Sequence, residues 1–368
     1  MKIGIIYLGS SEGGSGYSLE IASALSTECE IICYLSVNNP LLSEWEERGL
    51  TVKTFETYSG FKSLLFSLVF QDKMNKLANQ LNADNVDLLL DTMPSPWRSI
   101  YQRKVKSLCI WATVIHDPQP HPDRWSILVK LSRRFLPIKS DVEVAISQYC
   151  FNKLKAISQA PHVVLMEHGV YKTDMIEPEK KIASIKNNNN KFIFFGRIEA
   201  YKGLDILISA FELAQQSANE IELSIVGRGP IEPALLDKIE MLNIRLVNEW
   251  LIDEQLFSEI DSHGCIVLPY RSATQSGPAF ISISRGMPCI ATKVGALPEQ
   301  IIDGQNGILI KPNDPQSLAD AMIKISQDSQ LSAFMSSAAL DMSQSDRYNW
   351  ELITKQFIED IREKFTTV

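Results

Sequence analysis

The stretch KFIFFGRIEAYKGLDILISAFELA (residues 191–214) gives the clearest indication of the fold of this chain. A short apolar run ends at Gly196, and apolar residues at helical spacing follow Gly203. A strand, a glycine turn and an amphipathic helix in this order are typical of a parallel sheet with helices on its faces. Arg197 and Lys202 lie in the turn, so they would place two cations where a diphosphate could bind.

The same alternation of short apolar runs and helical patterns extends in both directions. Before the stretch come KIGIIYL, EIICYLSV, DLLLD, CIWATVIHD, VEVAIS and HVVLMEHGV, and after it come ELSIVG, IRLVN, GCIVLPY, PCIAT and GILI. We expect two Rossmann-like α/β domains, residues 1–170 and 191–348. The polar segment 171–190 is interpreted as a linker, and residues 349–368 as one amphipathic helix.

The composition restricts the partners and the compartment. The chain has 368 residues, 45% of them hydrophobic, a formal net charge of −8 and a pI near 5.3. Because the nucleic-acid backbone attracts basic surfaces, nucleic acid is not an expected partner. Six scattered cysteines without CxxC pairs indicate neither a zinc site nor a disulfide framework. With no signal peptide and no bilayer-spanning run in the sequence, we expect a cytoplasmic protein.

The first predicted strand is followed by Gly9-Ser10-Ser11-Glu12-Gly13-Gly14-Ser15-Gly16, which is interpreted as a loop before a helix from about Ser18. Its glycines would let backbone N–H groups approach a phosphate or an acceptor, although such loops are often merely tight turns. The loop does not spell GxGxxG, and the second predicted strand ends without an acidic residue for a ribose. A dinucleotide oxidoreductase is therefore disfavoured.

Another candidate anion site is the start of the apparent helix PAFISISRG (278–286), which Gln275, Ser276 and Gly277 precede. The first N–H groups of a helix lack intrahelical partners and attract anions. We expect phosphate or sugar contacts here; the alternative is that these residues simply cap the helix.

The stretch GRIEAYKGLDILISAF (196–211) resembles the signature of family 4 glycosyltransferases. Four later stretches resemble the same family in the same order: SIVGRGP (224–230), VLPYRSATQSG (267–277), GMPCIATKVGALPE (286–299) and DGQNGILI (303–310). The resemblance implies a GT-B fold, with a cleft between two Rossmann-like domains and a nucleotide sugar donor held mostly by the second. It also implies retention of the anomeric configuration and a C-terminal helix that crosses back to the first domain.

The resemblance assigns roles to particular residues. Arg197 and Lys202 match the diphosphate-binding pair, and Gly14 lies in the loop whose backbone approaches the donor phosphate. His116, in Val-Ile-His-Asp at the end of a predicted strand, is similar to the histidine that helps to place the donor sugar. The donor-binding set also includes the turn glycines of two motifs, Gly196 and Gly227.

The sequence departs from the family at two positions. Many members carry two glutamates, one near the donor sugar and one on the ribose, where this chain has Ala273 and Ile281. Neither side chain can replace a carboxylate. The chain resembles a subgroup with an SATQSG segment, in which Thr274, Gln275 and Ser276 would take over sugar or phosphate contacts. Glu299 is a candidate substitute, although the helix dipole also favours a glutamate at a helix start.

These features together predict a retaining glycosyltransferase that moves a hexose from a nucleotide diphosphate sugar to a glycan or lipid-linked acceptor. UDP-glucose is the first candidate donor, and cell-envelope or exopolysaccharide biosynthesis the expected setting. The sequence shows no DxD-type acidic pair after a predicted strand, so neither a metal nor a cofactor is expected. The alternatives are a non-catalytic nucleotide-sugar or glycan-binding protein and a nucleotide-sugar epimerase.

Basic residues are frequent between Arg98 and Lys155, although the whole chain is acidic. Within this stretch Lys130, Arg133 and Arg134 lie among the apolar residues of 125–136, as in an amphipathic helix that rests on anionic lipid. Peripheral contact with the inner face of the cell membrane is one hypothesis. An ordinary core-facing helix with a solvated basic side is the other.

Overall fold

The structure is a computed structural model that describes residues 1–57, 72–95, 97–106, 109–118, 139–171, 177–218 and 220–365. The chain divides into two compact units. The first comprises Met1–His168 and Trp350–Val368, and the second comprises Gly169–Asn349. Each unit contains an all-parallel sheet with its own hydrophobic core, as the alternation of strands and helices predicts.

The sheet of the first unit has the strand order β3-β2-β1-β4-β5-β6-β7. Its strands are β1 (Lys2–Tyr7), β2 (Glu30–Ser36), β3 (Thr51–Phe55), β4 (Leu88–Asp91), β5 (Ile110–Ile115), β6 (Val142–Ala145) and β7 (His162–Leu165). The helices between them are α1 (Glu12–Leu25), α2 (Leu42–Glu47), α3 (Asp72–Asp84), α4 (Arg98–Tyr101) and α5 (Gln148–Ile157).

Two features of the first unit differ from the sequence interpretation. Strand β3 was missed, because it is a short edge strand whose residues are at most half-buried. Helix α1 begins at Glu12, although a loop was expected up to Gly16. Glycine residues disfavour a helix. Here the turn before α1 is held in place, because the Tyr7 hydroxyl donates a 2.7 Å hydrogen bond to the carbonyl of Ser11, the residue that precedes the helix.

The sheet of the second unit has the order β10-β9-β8-β11-β12-β13. Its strands are β8 (Lys191–Phe195), β9 (Glu222–Val226), β10 (Arg245–Val247), β11 (Cys265–Leu268), β12 (Cys289–Thr292) and β13 (Gly307–Ile310). The helices are α6 (Pro178–Asn187), α7 (Leu204–Gln215), α8 (Pro233–Met241), α9 (Asp253–Asp261), α10 (Gly277–Ser284), α11 (Leu297–Gln300), α12 (Pro315–Gln327) and α13 (Ser329–Ser343).

The segment interpreted as a linker is partly a helix of the second unit. Helix α6 occupies residues 178–187 and contacts α13. Its Ile185 is buried, and its Lys181 forms a 2.8 Å ion pair with Asp261 at the end of α9. The polar composition concealed this helix because a few apolar contacts and one ion pair are enough to dock it.

The last helix, α14 (Trp350–Phe365), belongs to the first unit. It contacts α1 and β7, and it buries Trp350, Phe357 and Ile361 in the core of that unit. These residues follow the helical spacing visible in the sequence. Among the described helices, none is both long and apolar enough to cross a bilayer.

Candidate functional site

The topology of the second sheet identifies where a ligand would bind. In this sheet β9 and β10 lie on one side of β8, and β11 lies on its other side, so the strand order reverses direction at β8. In sheets of this kind, ligands bind outside the carboxyl ends of the strands at such a switch point. The loops after β8 and β11, residues 196–203 and 269–277, flank it. They contain most of the donor-binding residues expected from the sequence.

The loops after β8 and β9 meet through their backbones. The N–H of Gly196 donates to Val226, and the N–H of Ile198 donates to Arg228, each over 2.9 Å. Gly196 and Gly227 have φ values of +104° and +146°, which L side chains rarely adopt. Both expected glycines are therefore required by the backbone conformation itself.

Lys202 is the most buried cation of this site in the described residues, with 7% of its surface exposed. It ends the 3-10 turn Ala200–Lys202, and its Nζ lies 5.1 Å from the ring centroid of Tyr270. A Cβ atom added to Gly196 would lie 3.1 Å from this Nζ and 4.0 Å from Pro278 in α10. The ammonium therefore lies beside the end of β8 and near the start of α10.

The burial of Lys202 has an electrostatic consequence. Desolvation lowers the pKa of its ammonium, and the nearby Arg197 lowers that pKa further. No ion pair joins Lys202 to a carboxylate in residues 177–218 or 220–365. A buried cation without a counterion is costly, and an anionic ligand would relieve that cost.

Arg197 differs from Lys202 in its surroundings. Its side chain is 67% exposed, and its Nη1 lies 3.1 Å from Oε1 of Glu199. An exposed ion pair of this kind contributes little stability, so Arg197 can exchange Glu199 for another anion at small cost. The structure thus brings one fixed and one adjustable cation to the same loop.

The N-terminus of α10 is partly capped and partly exposed. The Ser276 side chain accepts a 3.4 Å hydrogen bond from the Ala279 N–H, and Pro278 has no N–H to offer. Among the first three residues of α10, all within the described part of the chain, the N–H of Gly277 is therefore the one that can bind an anion. Gly277 is exposed, and a Cβ atom there would meet nothing within 4 Å. The sequence predicts several free N–H groups here, and the capped geometry reduces that number.

The other residues of the SATQSG segment are held by the loop after β12. Ala273 and Thr274 are buried, and a Cβ atom on Gly295 would overlap the Ala273 carbonyl oxygen. Nε2 of Gln275 is buried and has no hydrogen-bond partner among the described residues. Such an unsatisfied amide is costly, which is consistent with a ligand contact.

The two positions where the family has glutamate, and the candidate substitute, lie in different surroundings. Ile281 packs against the core of the second unit. Glu299 is half-buried in the first turn of α11. The next residue, Gln300, donates from Nε2 to the Ser276 carbonyl over 3.1 Å, which ties α11 to the cap of α10.

In the first unit, Gly14 is not in a loop as the sequence analysis expected. It is the third residue of α1, and a Cβ atom there would lie 2.7 Å from Sδ of Met93 and from the Tyr7 hydroxyl. Gly14 is therefore required for packing. Gly13 is the exposed neighbour, and a Cβ atom on it would meet nothing within 4 Å.

His116 lies just after β5, and its Nε2 is 2.9 Å from the carbonyl oxygen of Thr92. Because a carbonyl only accepts hydrogen bonds, Nε2 carries the proton and Nδ1 keeps a lone pair. Burial lowers the pKa of His116, so the ring is neutral near pH 7. Tyr17 packs edge-on against this ring, with the centroids 5.0 Å apart.

Two residues of the site were not recognised from the sequence. Tyr270 lies under Lys202, and Arg271 binds the turn that carries Lys202. Both follow β11 directly, within the VLPYRSATQSG stretch. The sequence did contain a signal for both residues: an aromatic residue and a cation follow a strand that adjoins the switch point.

The basic stretch of the first unit needs one correction. Arg98 is fully buried, and its Nη1 lies 3.0 Å from Oδ2 of the buried Asp91. It therefore cannot belong to a docking surface. Lys130, Arg133 and Arg134 lie outside the described residues. Within the described ranges, no cluster of three His, Cys, Asp or Glu side chains is placed to hold a metal ion.

Residues 189–328 match the family model described as Glycosyl transferases group 1. The match lies within the second unit. The matched region, which we call the group 1 domain, contains both cations and the whole of the loop after β11. The expected relationship to this family is supported on these residues.

Comparison with solved structures identifies the fold of both units. Anabaena HepE in complex with UDP-glucose matches with a TM-score of 0.73 and 18% identity, covering 99% of this chain and 100% of that one. Sucrose-phosphate synthase from Thermosynechococcus elongatus matches with a TM-score of 0.74 and 17% identity, covering 100% of both chains. The two Rossmann-like units have the GT-B fold, as predicted.

Similarity in sequence is weaker. An uncharacterized glycosyltransferase of Methanocaldococcus jannaschii is 24% identical over 59% of this chain. The match covers 58% of that relative, so the chain spans about three fifths of its length. N-acetyl-alpha-D-glucosaminyl L-malate synthase of Bacillus anthracis is 22% identical over 97% of this chain and 95% of its own length.

Proposed function

We propose that the chain is a retaining hexosyltransferase that uses a UDP-sugar as donor. The observation that carries the proposal is Lys202, a cation with 7% exposure and no ion-pair partner among the described residues, at the switch point of the second sheet. Protein interiors rarely tolerate an uncompensated ammonium, and ligand sites of this fold lie at this point. The group 1 domain supports a nucleotide sugar as the ligand.

In this proposal the donor diphosphate is bound by groups of three kinds. Lys202 supplies a fixed charge, Arg197 turns from Glu199 to the phosphates, and the N–H of Gly277 donates at the positive end of α10. Lys202 and the N–H of Gly277 are in place before the donor binds, so they stabilise the charge that develops on the leaving diphosphate without reorganisation. Gln275 is the candidate for a polar contact with the sugar or phosphate.

His116 of the first unit offers the lone pair of Nδ1 to a hydroxyl group. Its neutral ring is oriented by Thr92 and Tyr17. We assign it the role of accepting a hydrogen bond from the donor sugar. Gly14 keeps only an indirect role, since its position is filled by packing and the N–H groups near Gly13 are the accessible ones.

The proposed reaction retains the anomeric configuration. The acceptor hydroxyl attacks the anomeric carbon on the face from which UDP leaves, the glycosidic bond forms as the bond to the β-phosphate oxygen breaks, and that oxygen takes the proton. No protein nucleophile is required. The cations lower the barrier by stabilising the departing diphosphate.

UDP-glucose is the first candidate donor, and its support is the solved structure of HepE in complex with UDP-glucose. A glycan or lipid-linked acceptor in envelope or exopolysaccharide biosynthesis remains the proposed setting. If the acceptor is presented at a membrane, wild-type protein should sediment with anionic vesicles at low salt, and replacing Lys130, Arg133 and Arg134 by Ser should abolish this. Wild-type protein that stays in the supernatant would favour a soluble acceptor.

The experiment that tests the function begins with a thermal-shift screen of nucleotide diphosphate sugars, because a bound donor stabilises the folded chain. UDP release from the stabilising sugar is then measured with and without glycan acceptors. Release that depends on an acceptor supports the transferase. Binding without any turnover would indicate the non-catalytic alternative, and interconversion of the sugar would indicate the epimerase; neither is favoured by the group 1 domain.

A further inference from the structure

The turn that carries Lys202 is fixed to the segment that carries Tyr270. The N–H of Arg271 donates to the Tyr201 carbonyl over 2.7 Å, and Nη1 of Arg271 donates to the Ala200 carbonyl over 2.8 Å. Arg271 also forms a two-bond ion pair with Asp205 in α7, at 2.9 and 2.6 Å. The backbones on either side of the Lys202 ammonium are therefore held together before any ligand arrives.

The ring of Tyr270 provides the surface on which this ammonium lies. Tyr270 is 2% exposed, and its centroid is 5.1 Å from Nζ of Lys202. Burial raises the pKa of the Tyr270 phenol, so the ring is neutral and presents the negative face of its quadrupole. A cation within about 6 Å of such a face is attracted to it, and more strongly where water is excluded.

We propose that Tyr270 is a positioning residue of the donor site, whose ring holds the Lys202 ammonium in place until the diphosphate binds. The role given to Tyr270 rests on the proposed function, because the ammonium is held for a donor diphosphate. The contact between the Tyr270 ring and Lys202 does not depend on that function. The quadrupole partly replaces the missing counterion, and unlike a carboxylate it does not compete with the incoming diphosphate for the charge.

The other groups that act on Lys202 set the direction of the test. Burial and Arg197 lower the pKa of its ammonium, whereas Tyr201 and Glu199 raise it. The Tyr270 ring favours the charged form, so its removal should lower that pKa further. UDP binding should then be lost at a lower pH in the variant than in the wild type.

Two substitutions separate the ring from the bulk of the side chain. Tyr270→Phe keeps the aromatic face and should bind UDP within about twofold of the wild type at every pH. Tyr270→Leu keeps an apolar group and removes the quadrupole. It should weaken UDP binding about tenfold, as expected for the loss of a desolvated cation–π contact, and move the alkaline loss of binding to lower pH.

Because Tyr270→Leu leaves part of the core empty, a volume-preserving series completes the test. Phenylalanine carrying one, two and three ring fluorines is incorporated at position 270, and UDP affinity should fall stepwise as the ring face loses its negative charge. Thermal unfolding of each variant identifies any that does not fold. Equal affinity across the series would overturn the proposal.

A donor-free measurement distinguishes this inference from the function on which it rests. The pKa of Lys202 is followed by NMR of the lysine Cε in the chain without UDP. We expect a lower value in Tyr270→Leu than in Tyr270→Phe. An unchanged pKa would overturn the role of Tyr270, whereas a wild-type chain that binds no UDP would contradict the proposed function instead.

Discussion

A Cβ atom on Gly227 would lie 1.9 Å from the carbonyl oxygen of Gly196. The two glycines directly follow neighbouring strands, and the contact joins the loops after β9 and β8. Since both partners are backbone, no rotamer change can relieve a clash between them. The shape of the loop that carries Arg197 and Lys202 therefore depends on a hydrogen atom at position 227.

Gly227→Ala should accordingly destabilise the second unit more than an ordinary glycine substitution. Gly304→Ala is the control for a positive φ without a close contact, because Gly304 has a φ of +77° and a Cβ atom there would meet nothing within 4 Å. The control should lose about 1 kcal/mol of unfolding free energy, the cost of the backbone conformation alone. Gly227→Ala should lose more and also weaken UDP binding. Equal losses in denaturant unfolding would show that the close approach is unimportant.

Restoring the family glutamates should not improve the site. Ala273 is buried and Ile281 packs on the core, so a carboxylate at either position would be desolvated, and at Ala273 it would also repel a diphosphate. We expect Ala273→Glu and Ile281→Glu to lower both stability and UDP-sugar affinity. Ala273→Gln adds a side chain of nearly the same size without the charge, so it separates the effect of bulk from the effect of charge. Tighter donor binding by either glutamate variant would mean that this is an ordinary site that has decayed.

His263 should make the stability of the second unit sensitive to acid. Its Nδ1 lies 2.6 Å from the Glu259 carbonyl and its Nε2 lies 2.8 Å from the Ser224 hydroxyl. Burial lowers the pKa of His263 from 6.5, so below that pH the unfolded chain binds a proton that the folded chain does not. The unfolding free energy should fall by up to about 1.4 kcal/mol per pH unit. His263→Gln should show a shallower slope between pH 7 and 5; an identical slope would be evidence against this assignment.

Turnover should survive excess chelator. In the proposed site, Arg197, Lys202 and the N–H of Gly277 would supply the charge that a metal would otherwise provide to the diphosphate. UDP release is measured before and after treatment with EDTA, and again after adding magnesium or manganese. Activity that disappears with EDTA and returns with the metal would require a different account of the donor site.

Much of the fold follows from the pattern of the sequence. Buried parallel strands are apolar along their length, so runs such as KFIFF and CIVL can be recognised as strands from the sequence. Two of the failures, α1 and α6, have a common cause, which is that tertiary contacts decided the outcome. Helix α1 starts in a glycine-rich stretch because Tyr7 holds the turn, and α6 forms in a polar stretch because Lys181 pairs with Asp261.

The candidate site was predictable in its cations and less so in their surroundings. Arg197 and Lys202 are recognisable because two basic residues follow a strand and a glycine. Their difference in exposure is set by the packing of β11 against the turn, which no local pattern reveals. The same applies to Arg98, which opens a stretch rich in basic residues but is buried against Asp91 at the end of β4.

If Lys202 is a buried cation kept for the donor diphosphate, Lys202→Met should impair function without lowering stability. Removing an unpaired buried charge should leave the unfolding free energy of the donor-free chain unchanged or higher. Turnover should fall on the order of 100-fold. Arg197→Met should also impair turnover while leaving stability unchanged, since its ion pair with Glu199 is exposed.

The decisive measurement is calorimetric titration of UDP into the wild type and Lys202→Met, with denaturant unfolding of both proteins in the same buffer. We expect strongly weakened UDP binding in a variant that is at least as stable as the wild type. Near-normal UDP binding by Lys202→Met would contradict it.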